Sequence, residues 1–196
     1  MTAVAGLVLA AGAGSRMGRP KALLPYRGTL LVERAATLLA DGGCEPVVAV
    51  LGARAAEVRA TAALPGVVLV DNPDWATGMA STLRVGLSEL RDAGAVVVTL
   101  VDTPLLGPES VRRLVAAAVD GAEAAVATYS GAWGHPVLLS GPVAAEVGAA
   151  ARGDQGARGW LRTHPHRVRT VPCDGTGSPR DVDVPGDLAA LAAGEE

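Results

Sequence analysis

The sequence predicts an α/β fold of three layers, helices on both faces of a mostly parallel mixed sheet. Three observations carry that expectation. Apolar runs of strand length, at Val4–Ala10, Val47–Leu51 and Ala95–Val101, are continuous rather than alternating, as in strands covered on both faces. They alternate with helix-like segments, the order that produces parallel crossovers. No repeat, linker or low-complexity block divides the 196 residues, a length suited to one well-cored domain and short for two.

In chain order, Val4–Ala10 reads as a first buried strand, followed by a glycine-rich loop. A helix follows from about Thr29 to Ala40, with Thr29 as N-cap and Gly42–Gly43 as its stop. Val47–Leu51 is a strand, Ala53–Ala63 a helix, Val67–Val70 a strand and Met79–Leu90 a helix. Ala95–Val101 is the most strongly β-branched strand, and Pro108 opens a helix to about Val119. Ala124–Tyr129 and a short Val137–Leu139 are strands, and Pro142 sits at the start of the next helix. A short helix near Ala157–Thr163, strands near Val168–Val171 and Asp181–Val184, and a helix after Pro185 complete the chain.

Composition narrows the function classes. Apolar residues make up 49% and the net charge is −3, so the chain is neither disordered nor basic enough for a nucleic-acid face. Its apolar runs are far short of a membrane span, and the N-terminus lacks the charged start of a leader. Two cysteines, Cys44 and Cys173, without redox or zinc spacing, suit a reducing cytoplasm. His164 and His166 have no evident third ligand and read as surface.

In sheets of this kind ligands bind beyond the carboxyl ends of the strands. There the sequence places the Gly12–Lys21 loop, the Asp71–Gly78 segment and Asp102-Thr103-Pro104. The loop, LAAGAGSRMGRPKALLPYRG from Leu9, carries Arg16, Arg19, Lys21 and Arg27, and the first acid in the chain is Glu33. Its Gly12-x-Gly14-x-x-x-Gly18 spacing is one residue too long for a dinucleotide cradle, and no acid stands at the tip of the second strand. Lys21 is followed by Ala22, not by the hydroxyl a Walker loop needs. What remains is a turn able to present backbone N–H groups to an anion, with a guanidinium fork and the chain's only lysine beside it. A triphosphate suits that field. A surface turn with solvated arginines is the plain alternative.

LAAGAGSRMGRPK resembles the L-x-x-G-x-[GS]-x-R-[MF]-G-x-x-K signature of the MobA/MocA-like nucleotidyltransferases, which attach CMP or GMP to molybdopterin. NPDWATGMASTLRVGL from Asn72, VDTP around Asp102, GHPVLL from Gly134, GDQGAR from Gly153 and DVDVPGDL from Asp181 are similar to later segments of that family, in order. The resemblance implies a Rossmann-like nucleotidyltransferase fold, one domain with a nucleotide-binding half at about 1–105 and an acceptor-binding half at about 106–196. It implies a cytoplasmic, Mg²⁺-dependent enzyme moving CMP, or less readily GMP, from CTP or GTP to a phosphorylated acceptor such as molybdopterin. A molybdoenzyme apoprotein is a further partner; nucleic acid and membrane are not expected.

Residue by residue, it implies that Arg16, Lys21 and Asp102 are catalytic, with Arg16 and Lys21 on the β- and γ-phosphates. Leu9, Ala10, Ala11, Gly12, Gly14, Ser15, Asn72 and Ser81 join them in binding the nucleotide, and LAAG resembles the cytidylyl type. Asp102 and Asp183 are the implied metal ligands; Gly78, Met79, His135, Asp154 and Arg158 are the implied acceptor set, with Gly78 and Met79 opening a helix toward an anion. Structural readings stand beside these: Asp102 as a helix cap, Asp183 in a helix-start turn, Met79 in the core, His135 as a satisfied histidine, and Asp154 and Arg158 as a surface ion pair. Thr103 departs from the usual Met or Gln after the metal aspartate. An NAD(P)H-dependent oxidoreductase of the nicotine blue oxidoreductase type and a non-catalytic nucleotide-binding accessory for molybdoenzyme maturation are the competing functions.

Overall fold

In the computed structural model, which describes residues 3–193, the strands are β1 (Val4–Ala10), β2 (Pro25–Tyr26), β3 (Thr29–Leu30), β4 (Val47–Leu51), β5 (Val67–Asp71), β6 (Ala95–Leu100), β7 (Ala124–Tyr129), β8 (Ala132–Ser140) and β9 (Val168–Pro172). The helices are α1 (Leu31–Asp41), α2 (Ala55–Thr61), α3 (Met79–Glu89), α4 (Pro108–Val119), α5 (Gly141–Ala150), α6 (Arg158–Thr163) and α7 (Pro185–Ala193).

Every residue of β1 is buried, and its side chains alternate between two cores. Val4, Val8 and Ala10 enter one with α1 and α4, while Ala5, Leu7 and Leu9 enter the other with α3 and α5. A strand sealed on both faces must be apolar throughout, which is why the sequence run is unbroken. Seven strands form one sheet in the order β5-β4-β1-β6-β8-β7-β9. All neighbours are parallel except those of β8, which is antiparallel to β6 and β7. The expected three-layer, mostly parallel mixed sheet is therefore the observed one.

Three local expectations are corrected. Helix α1 starts at Leu31, not after a Thr29 cap; Thr29 pairs in β3, and Glu33 Oε2 accepts the Leu30 N–H at 2.8 Å. The strand at Val137–Leu139 is the buried part of the nine-residue β8, which hairpins with β7. Asp181–Val184 is not a strand; it is held by the Val182 N–H donating to the Asp102 carbonyl at 2.9 Å, with Val182 fully buried. The order of the chain reverses between β1 and β6, because β1 leads to β4 on one side while β6 lies on the other. A crevice opens beyond their carboxyl ends, and the loop after β1 and Asp102 after β6 border it.

Candidate active site

The loop after β1 is shaped by short 3₁₀ turns at Ser15–Met17 and Lys21–Leu23, whose Met17, Ala22 and Leu23 are buried. Gly14 has φ 61°, and a Cβ there would collide with the Arg19 carbonyl, so only glycine closes this turn. The turns leave Arg16 at 72% exposure at the rim and send Lys21 inward to the crevice.

Lys21 Nζ donates to Asp102 Oδ2 at 2.8 Å and to Asp183 Oδ1 at 2.7 Å. Arg16 Nη1 donates to Asp183 Oδ2 at 3.2 Å. Asp183 is fixed from behind, because its own N–H and that of Val184 donate to Asp187 Oδ2 at 2.7 and 2.9 Å. Burial alone would push the Lys21 ammonium down; its hydrogen bonds to Asp102 and Asp183, and their charges, outweigh that and raise its pKa above the ordinary lysine value. The hydrogen bond from Lys21, then its charge and that of Arg16, hold the Asp183 carboxyl below the usual carboxylate range. Asp102 Oδ1 is buried with no partner. Two converging carboxylates with one unpartnered oxygen are a donor set that fits a hard divalent cation, although among the described residues no third His, Cys, Asp or Glu joins them.

Two clefts meet here. The first, about 340 Å³, is lined by Leu9, Ala11, Gly12, Gly14, Lys21, Trp75, Gly78, Met79, Asp102 and Asp154. The second, about 640 Å³, shares Leu9, Met79, Leu100 and Asp154 with it and extends past Trp133, His135 and Arg158. Ser15, Arg16 and Asp183 border a smaller recess beside Lys21. The fold thus gathers most of the residues singled out in the sequence.

Several of them lie otherwise than expected. Ala10 is buried with its side chain in the core beneath α1, away from the cleft. Asn72 and Ser81 are sealed: Asn72 Nδ2 donates to Ser81 Oγ at 2.8 Å and Thr82 Oγ1 at 3.1 Å, and its Oδ1 accepts the Asp74 N–H. Their polar groups are spent bracing the 72–78 loop rather than facing a ligand. The start of α3 is not open to an anion, because Asp154 Oδ1 accepts the Met79 N–H at 3.3 Å and the Gly153 carbonyl accepts that of Ala80 at 2.8 Å. Gly78, at φ 113°, has Gly153 where its Cβ would be. Asp154 is accordingly a helix cap that also lines the cleft.

His135 stands in the wall of the second cleft, its carbonyl accepting from Tyr129 Oη at 2.9 Å. Burial pushes its pKa down against the opposing Val98 carbonyl and Asp102 charge, so the ring is neutral at pH 7; its Nδ1 has no partner.

Sequence reasoning missed a strut behind the crevice. Arg34 Nη2 donates to the Pro104 carbonyl at 3.1 Å, just past Asp102, and the guanidinium lies 5.1 Å from the Tyr26 ring centroid. Tyr26 Oη reaches the Leu191 carbonyl of α7 at 3.4 Å. The Lys21, Asp102 and Asp183 segments are thereby joined. Trp75 and Trp133 were missed as cleft walls; Trp75 packs against Gly52, where a Cβ would stand 2.5 Å from its own, a contact that only the fold reveals.

Among the described residues, no helix is long and apolar enough to cross a membrane. The chain is 41% identical over 188 residues to nicotine blue oxidoreductase of Paenarthrobacter nicotinovorans, covering 92% of each. It is 29% identical over 144 residues to molybdenum cofactor cytidylyltransferase of Escherichia coli K12, covering 72% of each. Its fold matches Rv0371c of Mycobacterium tuberculosis H37Rv with a TM-score of 0.86 at 34% identity over 98% of both chains; the same protein has also been solved in complex with manganese. Residues 6–168 match the family described as the MobA-like NTP transferase domain. With that match over most of its length, on the glycine loop and sheet just described, the chain belongs to the MobA-like nucleotidyltransferase family.

Proposed function

We propose that this protein is a Mg²⁺-dependent nucleotidyltransferase of the cytoplasm, moving CMP in preference to GMP from the triphosphate to a phosphorylated acceptor, molybdopterin, with release of pyrophosphate. The observation that carries this reading is the Lys21 ammonium held between Asp102 and Asp183 beside a glycine loop free of acids. Asp102 and Asp183 would hold the divalent cation, which supplies Lewis-acid neutralisation of the α-phosphate as charge grows there. Loop N–H groups, Arg16 and the released Lys21 hold the β- and γ-phosphates and stabilise the leaving pyrophosphate. Leu9, Ala11 and Gly12 wall the base, and LAAG supports cytosine over guanine. The acceptor lies in the second cleft against Met79, His135 and Arg158, its reactive oxygen directed along the shared wall toward Asp102. Little covalent chemistry is asked of the protein; positioning and electrostatics carry the rate.

The test is pyrophosphate release with purified molybdopterin and either CTP or GTP, in wild type and Asp102→Asn. Release with CTP, lost by about a hundredfold or more in the variant, supports the reading. Equal release in the two proteins at the same magnesium requirement overturns the role of Asp102.

A second reading, NAD(P)H-dependent reduction, is favoured by the name of the 41% identical relative. Against it, α1 begins only at Leu31, so no helix N-terminus follows the glycine loop to receive a dinucleotide pyrophosphate, and β4 ends at Leu51 and runs into Gly52-Ala53-Arg54 without a ribose acid. Thermal shift with NADPH against CTP plus Mg²⁺ separates the two.

A further inference from the structure

Asp102 and Asp183 reach the crevice from two unlike places. Asp102 lies just past the end of β6, whereas Asp183 sits in the irregular stretch between β9 and α7. A carboxylate on irregular backbone serves a cation only where something fixes the chain that carries it. Part of that work is done by pairing the stretch, antiparallel, with the loop after β6. The Gly107 N–H donates to the Thr176 carbonyl at 2.9 Å, that of Ser178 to Leu105 at 3.0 Å and that of Val182 to Asp102 at 2.9 Å, with a bridge between Leu106 and Gly177. Side chains have no room there: a Cβ on Gly107 would collide with the Thr176 carbonyl, and one on Gly177, at φ 124°, with that of Leu105. The pairing ends at Val182, one residue short of the acid that matters.

From there a side chain takes over. Asp187 Oδ2 accepts the N–H of Asp183 at 2.7 Å and that of Val184 at 2.9 Å. Asp187 belongs to α7, which is seated in turn: Leu191 is buried in the core shared with α1, and its carbonyl accepts from Tyr26 Oη at 3.4 Å. The Asp183 carboxylate is engaged elsewhere, Oδ1 by Lys21 and Oδ2 by Arg16, so the two acids are linked through backbone N–H groups alone. We infer that Asp187 is a positioning residue for the divalent cation: it holds the Asp183 carboxylate opposite Asp102, and without it the two no longer act as one donor set. The inference rests on reading Asp102 and Asp183 as the metal ligands.

The experiment is titration of the full chain with Mn²⁺ alone, the free ion read by electron paramagnetic resonance below every melting transition. The proteins are wild type, Asp187→Ala, Asp187→Asn, Asp183→Asn and the double variant Asp183→Asn with Asp187→Ala. Asp187→Ala weakens Mn²⁺ by about tenfold, and Asp183→Asn by at least as much. Asp187→Asn, which keeps an oxygen for the two N–H groups and loses only the charge, stays within about threefold of wild type. The double variant is no weaker than Asp183→Asn, because Asp187 acts through Asp183. A lowered Tm in Asp187→Ala with unaltered Mn²⁺ affinity overturns the inference and leaves Asp187 a helix cap. Equal losses in the Ala and Asn variants, or additive losses in the double variant, also overturn it, since the charge of Asp187 would then act on the metal directly. Loss in Asp183→Asn with none in Asp187→Ala rejects the inference and keeps the ligands. A wild type that binds no Mn²⁺, or an Asp183→Asn that binds it undiminished, removes the ligand assignment and the inference with it.

Discussion

Replacing Lys21 by Met keeps the aliphatic stem and removes only the ammonium that joins two carboxylates from distant parts of the chain. The bond to Asp102 spans 2.8 Å between side chains 17% and 18% exposed, so it holds most of the value of a charge-assisted bond, about 1.5–3 kcal/mol. The 2.7 Å bond to Asp183 is partly screened, because that carboxylate is 46% exposed, and contributes up to about 1 kcal/mol. Burial of the lysine offsets part of this, leaving a net loss of about 2–3 kcal/mol. For a chain of this size that lowers Tm by about 5–10 °C. The variant also leaves Asp102 without its lysine counter-charge and Asp183 with only the exposed Arg16 beside it. Millimolar Mg²⁺ or Mn²⁺, added without nucleotide, therefore raises the Tm of Lys21→Met by more than that of wild type, in which the ammonium competes for the same oxygens. Nucleotidyl transfer stays lost despite the better metal response, since the phosphates have lost their cation. An unchanged Tm and the same metal response in both proteins would refute the bridge.

The pH dependence follows from the same contacts. The Asp183 pKa is depressed on folding, so its stabilisation is complete above the unfolded carboxylate value, about 3.9, and is lost as pH falls through the folded value. The Lys21 pKa is raised, so its share is complete below the unfolded lysine value, about 10.4, and is lost as pH rises through the folded value. Asp183→Asn flattens the acid limb of a Tm-against-pH curve and leaves the shape near neutrality; a parallel acid limb in both proteins would contradict this. Arg34→Met removes the bond to the Pro104 carbonyl and the stacking on Tyr26, at a cost of about 1–2 kcal/mol. It also weakens Mn²⁺ binding, read by electron paramagnetic resonance, with Arg34→Lys intermediate. A lowered Tm with unaltered Mn²⁺ affinity assigns Arg34 to stability alone.

What the sequence revealed of this fold, and what it hid, follows from where side chains face. Val4–Ala10, Val47–Leu51 and Ala95–Leu100 are sealed on both sides almost throughout, so their apolar runs are visible locally. In β8 only the interior end is sealed; Ala132 and Trp133 lie exposed, so composition marked Val137–Leu139 and not the hairpin. Asp181–Val184 imitates a strand by alternation, yet a single valine, Val182, is what the core takes, with one hydrogen bond to Asp102. Asn72 and Ser81 carry motif-like polarity, but their partners are each other and the intervening loop, a fact only folding reveals. The loop chemistry of Lys21 was legible because its missing acids and odd glycine spacing are local. Its bonds to Asp102 and Asp183 were not, because those partners lie 81 and 162 residues away along the chain.

The rarity of lysine acquires a physical reason at this point. With sixteen arginines and one lysine in the chain, position 21 is where the ordinary choice of cation has been set aside. Bridging two carboxylates of different segments through one nitrogen, at 2.8 and 2.7 Å, is the geometry of a point charge. A guanidinium is a planar fork suited to both oxygens of one carboxylate or phosphate, rather than to single oxygens of two different carboxylates. The four-carbon stem also allows the ammonium to leave those oxygens for a phosphate when a divalent cation takes them over, a movement that a stacked or bidentate arginine resists. Arg16, exposed at the rim and bonded through one nitrogen to Asp183, is placed for the complementary task, where a fork on phosphate oxygens is an advantage. On this division Lys21→Arg keeps the charge but not the single-nitrogen bridge. It should lower both Tm and the rate of transfer, although net charge is unchanged, and full activity in that variant would show that charge alone is what position 21 requires.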